Sequence, residues 1–491
     1  MIALQRLILS LASIYLAMAC QPTTKTHSPP NIIVFIADDV GWNDLSPYGN
    51  TEVKTPIIQR LASQGLVFDN AYLTASSCSP SRISIMTGRY PHNTGAAELH
   101  TEPLVELATI ASTLKKANYY TASAGKWHMG ELIKPHFDTI HVKGNGNGGE
   151  DKWLETLDNR PKDQPFFFWF AALDAHRPWG KNDLSNTHSF KDLTVPATLN
   201  NDDSTKMDLA KYYDEIARFD RCIGEIESAL QESGDLNNTI FIIMADNGRP
   251  FPRDKTRVYD SGMKTPFIVY WPGNNEVKPG RVSGLVSSID LAPTLAALAK
   301  VDAPASFQGI DFSPLLQDHQ KEIRPYVFSE HNWHDHEAYE RMIRSNQYLY
   351  LINKLPELPN QGPADALNSP SFRALARNKA QLSPAQSDIF VTPRPTVELF
   401  DVIEDPLQLN NLALQPSFQS VRDDLHQKLV EWQKYTDDTE PENLTKDWYH
   451  RDSNKKVDQG FNIRGEMPGM KNNAVHSMSN DSILFTRFIE H

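Results

Sequence analysis

Continuous apolar runs alternate with amphipathic periods along this chain. "NIIVFIADD" (31–39), "YYTASAGK" (119–126), "PFFFWFAAL" (165–173), "TIFIIMADN" (239–247) and "PFIVYWPG" (266–273) have the length and texture of strands buried on both faces. Helical periods lie between them. Leu104, Leu107, Ile110 and Leu114 share one face of 104–117, and Leu209, Tyr212, Ile216, Phe219, Ile223, Ile226 and Leu230 share one face of 208–230. Strands alternating with helices predict an α/β fold with a mainly parallel sheet covered on both faces. In such sheets ligands gather at the carboxyl ends of the strands. Polar groups stand at those ends here: Asp38 and Asp39, Lys126 and His128, His176, and Asp246 and Asn247.

The texture changes after about residue 350. "LPELPNQGPADALNSPS" is loop-like, "VELFDVIEDPLQLNNLA" (397–413) predicts a strand, a turn and a helix start, and 417–434 predicts a further helix. The expected organisation is a catalytic domain over 31–350 and a smaller C-terminal α+β subdomain with a polar tail over 351–491. A chain of 491 residues has room for that division.

The N-terminus reads as an export signal over 1–19. Arg6 precedes the apolar "LILSLASIYLAMA", which is too short to remain as a membrane span. "LAMAC" resembles a bacterial lipobox, with Ala17 where Leu is commoner, so Cys20 is an expected lipid-anchor site and 20–30 an expected tether. The expected location is the periplasm or the outer membrane, with free secretion the alternative. A net charge of −13 argues against a nucleic-acid partner, although clustered cations can still make one cleft attractive to an anion. Of the two remaining cysteines, Cys222 falls on a helical period and reads as an inert packed thiol. Cys78 stands in "SSCSPSRISIMTGRYPHNTG" beside Pro80 and Arg82.

Adjacent aspartates at a strand end repel one another unless a cation joins them. "ADD" and "ADN" offer only oxygen donors (Asp38, Asp39, Asp246 and Asn247), a set that suits Ca²⁺ or Mg²⁺ rather than zinc. Arg82, Lys126, His128, His176 and Lys255 lie at or just beyond the same strand ends or near a helix start. Converging with a metal, they would make a site for a tetrahedral oxyanion.

"CSPSR" followed by "TGRYPHNTG" resembles the signature of the type I sulfatases of the alkaline phosphatase superfamily, Cys-x-Pro-x-Arg. The resemblance covers roughly 31–350, and "ELFDVIEDPLQLNNLA" also fits that family's C-terminal subdomain. It implies a large mixed, mostly parallel sheet flanked by helices. It implies that a maturation enzyme oxidises Cys78 to formylglycine (3-oxoalanine), whose hydrate is the nucleophile. Asp38, Asp39, Asp246, Asn247 and the modified Cys78 match the ligands of a Ca²⁺ ion. Arg82, Lys126, His128, His176 and Lys255 match the other catalytic positions. In the implied mechanism one diol hydroxyl attacks sulfur, His176 assisted by Lys255 protonates the leaving group, and His128 takes the proton of the second hydroxyl so that sulfate is expelled. Arg82 and Lys126 spread the charge.

"DNGRPFPRDKTRVYDSG" and "SEHNWHDHE" resemble the heparan N-sulfatase branch and its bacterial polysaccharide-degrading relatives. The expected substrate is therefore a sulfated carbohydrate, with an O-sulfate ester of an algal polysaccharide such as ulvan as the first expectation and N-sulfoglucosamine as the alternative. His100, His331, His334 and Arg341 are candidates for the sugar pocket, or ordinary surface polar residues. A phosphate or phosphonate ester hydrolase of the same superfamily and a non-catalytic glycan-binding lipoprotein are the rival readings.

Overall fold

Eight strands form the main sheet: β1 (Asn31–Ala37), β2 (Leu66–Tyr72), β3 (Tyr120–Gly125), β4 (Thr139–His141), β5 (Phe166–Ala171), β6 (Thr239–Ala245), β7 (Phe267–Tyr270) and β8 (Gly280–Ser287). Their order is β4-β3-β5-β1-β6-β7-β2-β8. This computed structural model describes residues 28–104, 107–142, 149–180 and 187–470. All pairings are parallel except those of β7, which runs against β6 and β2. The sheet is thus mixed and mostly parallel. The run 266–273 is a strand, but its carboxyl end points away from the rim that gathers the others.

The apolar runs are continuous because both faces of the sheet are covered. Ile32, Val34 and Ile36 of β1 enter one core with Phe167 and Trp169 of β5. Ile33, Phe35 and Ala37 enter the other with Phe166, Phe168 and Phe170. Ile83, Ile85 and Met86 of the helix Cys78–Thr87 seal the first face, and Leu209, Ile216, Phe219 and Ile223 of the helix Asp203–Ser233 seal the second. Asp202 caps this long helix by accepting from the Thr205 amide, and Gly234 ends it in the left-handed region at φ 81°. The shorter helix starts later than its apolar period suggests. It spans Ile110–Lys116, because Thr109 and Ser112 form a capping box that leaves Leu104 and Leu107 outside.

A second, antiparallel sheet has the order β12-β11-β10-β9, from β9 (Val327–His331), β10 (Glu340–Arg344), β11 (Tyr348–Asn353) and β12 (Val397–Asp401). Leu425, Leu429 and Trp432 of the helix Gln419–Tyr435 cover one face. Tyr72, Val258, Tyr259 and Met263 of the main body cover the other. A domain boundary at 350 would cut through β11, since this sheet already begins at Val327. Turns rather than a helix start follow β12. Residues 1–27, with the expected signal and Cys20, lie outside the described residues. The end of the expected tether is fastened: the Pro29 and Pro30 carbonyls accept from Asn238 and Tyr119. No helix among the described residues is long and apolar enough to cross a membrane.

Candidate active site

The parallel register sets Ala37 of β1 beside Ala245 of β6, so the residues that follow must meet. Asp38, Asp39, Asp246 and Asn247 are all fully buried there. The Asp39 amide donates to Asp246 Oδ1 at 3.1 Å, and the Asn247 side-chain amide donates to Asp39 Oδ1. Asp39 adopts φ 59°, a left-handed conformation that a short polar side chain tolerates.

Cys78 opens the helix Cys78–Thr87, and its Sγ lies 3.8 Å from Asp38 Oδ1 and 3.9 Å from Asp39 Oδ1. Arg82, one turn later, donates from Nε to Asp246 Oδ2 at 2.7 Å, with Nη2 3.6 Å from Asp38. Lys126 follows Gly125, whose φ of 101° and missing Cβ are both required. A Cβ there would fall 1.8 Å from the Ala171 carbonyl oxygen. Lys126 Nζ meets Asp38 Oδ2 at 2.5 Å, and Lys255 Nζ donates to Asp39 Oδ2 at 2.8 Å. His176 reaches the cluster from the loop after β5, with Nε2 3.8 Å from Asp39 Oδ2. That loop is held by Asp174, which takes the guanidinium of Arg218 and whose carbonyl accepts from the Asp38 amide at 2.8 Å.

Burial raises the pKa of both Asp38 and Asp246. Lys126, His176 and Arg82 nevertheless pull Asp38 far below the ordinary carboxylate range. Asp246 is pushed up to about 6 by burial and the facing Asp38, against the pull of Arg82. Burial pushes the Cys78 thiol well up despite Lys126 and Lys255. Burial and then Lys126 hold the His128 imidazole well below its ordinary value.

The donor chemistry fits a hard divalent cation. Oxygens of Asp38 and Asp246 lie within 4.8 Å of each other and of the Cys78 sulfur, and Asp39, Cys78 and His176 form a second such group. Among the described residues Asn247 Oδ1 is buried with no hydrogen-bond partner, an acceptor whose need a cation would meet.

The four pocket candidates separate. His100 Nδ1 lies 2.7 Å from His128 Nε2, which joins it to the site. His334 Nδ1 meets the hydroxyl of Ser77, the residue before Cys78, at 2.6 Å. His331 is buried against Glu340 at 2.8 Å and lines a small cavity with His334 and His336. Arg341 is not a pocket residue. It is fully buried opposite its cross-strand neighbour Glu330, and its guanidinium takes both oxygens of Asp438 at 2.6 and 2.8 Å. The sequence offered it as a sugar-pocket or surface polar residue, but Glu330 on the neighbouring strand and Asp438, beyond the helix Gln419–Tyr435, enclose it. Trp333, packed with Leu99 against Cys78, and Asp365, 3.6 Å from both His176 Nε2 and Lys255 Nζ, were not foreseen. Asp365 stands in "GPADALNSP", where only loop chemistry shows. Cys78 and Cys222 are both free thiols.

The profile named Sulfatase matches residues 30–141 and 150–301, more than half of the chain. The chain belongs to the sulfatase family. It is a sulfuric ester hydrolase. Residues 251–355 also match the profile named N-sulphoglucosamine sulphohydrolase, C-terminal. This sulfatase is 28% identical over 463 residues to an ulvan-active sulfatase of Formosa agariphila, covering 83% of this chain and 75% of the relative. It is 29% identical over 465 residues to human N-sulphoglucosamine sulphohydrolase, covering 84% and 91%. A solved structure described in complex with its substrate D-glucosamine-2-N,6-O-disulfate superposes with a TM-score of 0.65 at 20% identity, covering 83% of this chain and 98% of the other. The fold is shared with a phosphonate monoester hydrolase from Silicibacter pomeroyi as well, at a TM-score of 0.64 and 17% identity over 82% and 95% of the two chains. The fold alone therefore does not choose between sulfur and phosphorus.

Replacing Arg341 by Met would strand Asp438 as a buried charge and leave Glu330 only its contacts with His92 and Asn332. The expected result is a loss of about 3–5 kcal/mol in unfolding free energy by denaturant titration. Unchanged stability with weakened sugar binding would return Arg341 to the pocket.

Proposed function

We propose that this sulfatase removes sulfate from carbohydrate, that Cys78 is the precursor of its formylglycine nucleophile, and that Asp38, Asp39, Asp246 and Asn247 hold a Ca²⁺ ion. The observation that carries the reading is the position of Cys78 Sγ, within 3.9 Å of Asp38 and Asp39 and ringed by Arg82, Lys126 and Lys255. A thiol pushed up by burial is a weak nucleophile as it stands, which is a reason for it to be converted. When bound, the cation supplies Lewis-acid stabilisation of the sulfate oxygens and favours ionisation of a nearby hydroxyl.

The chain's own residues do the rest. Arg82 and Lys255 are buried, and Lys126 is partly buried, with all three already in place, so they stabilise negative charge on the transferring group without reorganising. His176 Nδ1 is engaged by the Arg177 carbonyl, which leaves Nε2 to carry the proton to the leaving atom. His128 is kept neutral by burial and Lys126, the state in which a ring nitrogen accepts a proton.

An O-sulfate ester of an algal-type polysaccharide is the first substrate, supported by the ulvan-active relatives. N-sulfoglucosamine is the second, favoured by the C-terminal profile over residues 251–355 and by the human relative. Export, a lipid anchor at Cys20 and processing by a sulfatase-maturation enzyme belong to the same reading, and rest on the N-terminal sequence and the Cys-x-Pro-x-Arg motif.

Mass spectrometry of the peptide spanning Cys78, from enzyme produced with its maturation partner, tests the nucleophile. The peptide is expected to have exchanged sulfur for oxygen and lost two hydrogens; active enzyme carrying only the thiol refutes it. Replacing His176 by Ala is expected to lower kcat/KM by roughly 10²- to 10⁴-fold on sulfates with poor leaving groups, and far less on activated aryl sulfates. Equal losses on both series would remove His176 as the acid.

A further inference from the structure

Asp365 is out of place in a site built for an anion. Its carboxylate faces two groups that the proposed reaction uses, His176 Nε2 and Lys255 Nζ, each at 3.6 Å from Oδ2. Both separations exceed the hydrogen-bond range. Lys255 makes its short contact to Asp39 instead, at 2.8 Å. Asp365 Oδ1 accepts from the Ala366 amide at 2.7 Å. The segment itself is tied down by the Ala364 amide, which donates to Asp335 at 3.0 Å. The Asp365 side chain is 24% exposed. It opens on a groove with about 660 Å³ of room, lined also by Arg177, Trp179, Met207, Lys211 and Asn368. That is the size of an ordinary small-ligand site.

A carboxylate in this position weakens the attraction for sulfate unless it does something for the rest of the substrate. Carboxylates only accept hydrogen bonds. A site acceptor that a substrate O–H or N–H fills becomes a strong filter, because a substrate lacking the donor leaves it unpaired. With His176 Nε2 in its proposed role as acid to the leaving atom, Asp365, 3.6 Å from that nitrogen, lies beside the immediate neighbours of the leaving atom.

We infer that Asp365 is a specificity residue that accepts a hydrogen bond from an O–H or N–H carried by the sugar at or next to the sulfated position. The inference rests on the carbohydrate reading above. Two sources supply that chemistry: the N–H of a sulfamate itself, or a hydroxyl on the carbon beside an O-sulfate.

The test is kcat/KM for matched pairs. One pair is an O-sulfated monosaccharide with a free neighbouring hydroxyl and its deoxy counterpart. The other is N-sulfoglucosamine and its N-methyl analogue, which lacks the N–H. Each is assayed with the wild type and with Asp365→Ala, and an aryl sulfate confirms that each preparation is active. Removing the donor is expected to cost the wild type about 10- to 100-fold in at least one pair, and only a few-fold in Asp365→Ala. The pair that responds identifies the source. The wild-type comparison stands even if the variant does not fold. Equal turnover with and without the donor in both pairs, or additive losses in the variant, overturns the inference and leaves the carbohydrate reading intact. Aryl sulfate turnover with sulfate released from none of the sugars overturns both.

Discussion

Three buried aspartates meet across the β1–β6 junction, and the rest of the molecule is arranged around the cost of that meeting. Carboxylates this close and this far from water repel one another strongly. Arg82, Lys126 and Lys255 answer three of these charges with short contacts. Asp365 adds a fourth negative charge to the same neighbourhood. The described residues thus leave a small negative excess, together with an unpaired Asn247 oxygen. A divalent cation reverses that balance. A sulfate group would then meet a net positive charge, with Asp365 the one carboxylate beside His176 and Lys255.

The sheet supplies the precision. Parallel neighbours deliver their carboxyl ends to one rim, so the separations of Asp38, Asp246 and Lys126 are fixed by strand register, while His176 is placed by the loop that Asp174 holds. Gly125 shows how tight the arrangement is, because only a residue without a side chain lets Lys126 leave β3 against the Ala171 carbonyl. The second sheet adds a wall. His331, Trp333 and His334 arrive from β9 and the turn after it, and Asp365 from the segment beyond β11. The buried network of His92, Glu330, Arg341 and Asp438 locks that wall to the main body. Charged groups so placed contribute little net stability but penalise any other packing once one partner is lost.

Much of this was legible in the sequence, and for a physical reason. Where an apolar run stops abruptly at "DD" or "DN", the strand end and the chemistry coincide, and β1 and β6 announced themselves in that way, while β3 and β5 did so through the Lys126 and His176 that follow them. β2 (LVFDNAY) and β8 (GRVSGLVS) did not, because polar residues and glycines interrupt their apolar character. The direction of β7 was equally invisible, since periodicity carries no information about strand polarity. Arg341 misled because burial of a cation depends on a partner 97 residues away, which no local pattern reveals. Asp365 stayed hidden for a related cause: a loop acid acquires meaning only when the fold sets it beside His176.

The central claim is that the oxygens at the β1–β6 junction form a cation site that the enzyme needs. Metal analysis of purified, active enzyme, coupled to Ca²⁺ titration after chelation, tests it most directly. The expected result is a single tightly held Ca²⁺, loss of turnover on its removal, recovery with Ca²⁺ better than with Zn²⁺, and loss of the site in Asp246→Ala. Full activity in enzyme stripped of every divalent ion, or Ca²⁺ binding that survives the loss of Asp246 unchanged, would contradict it.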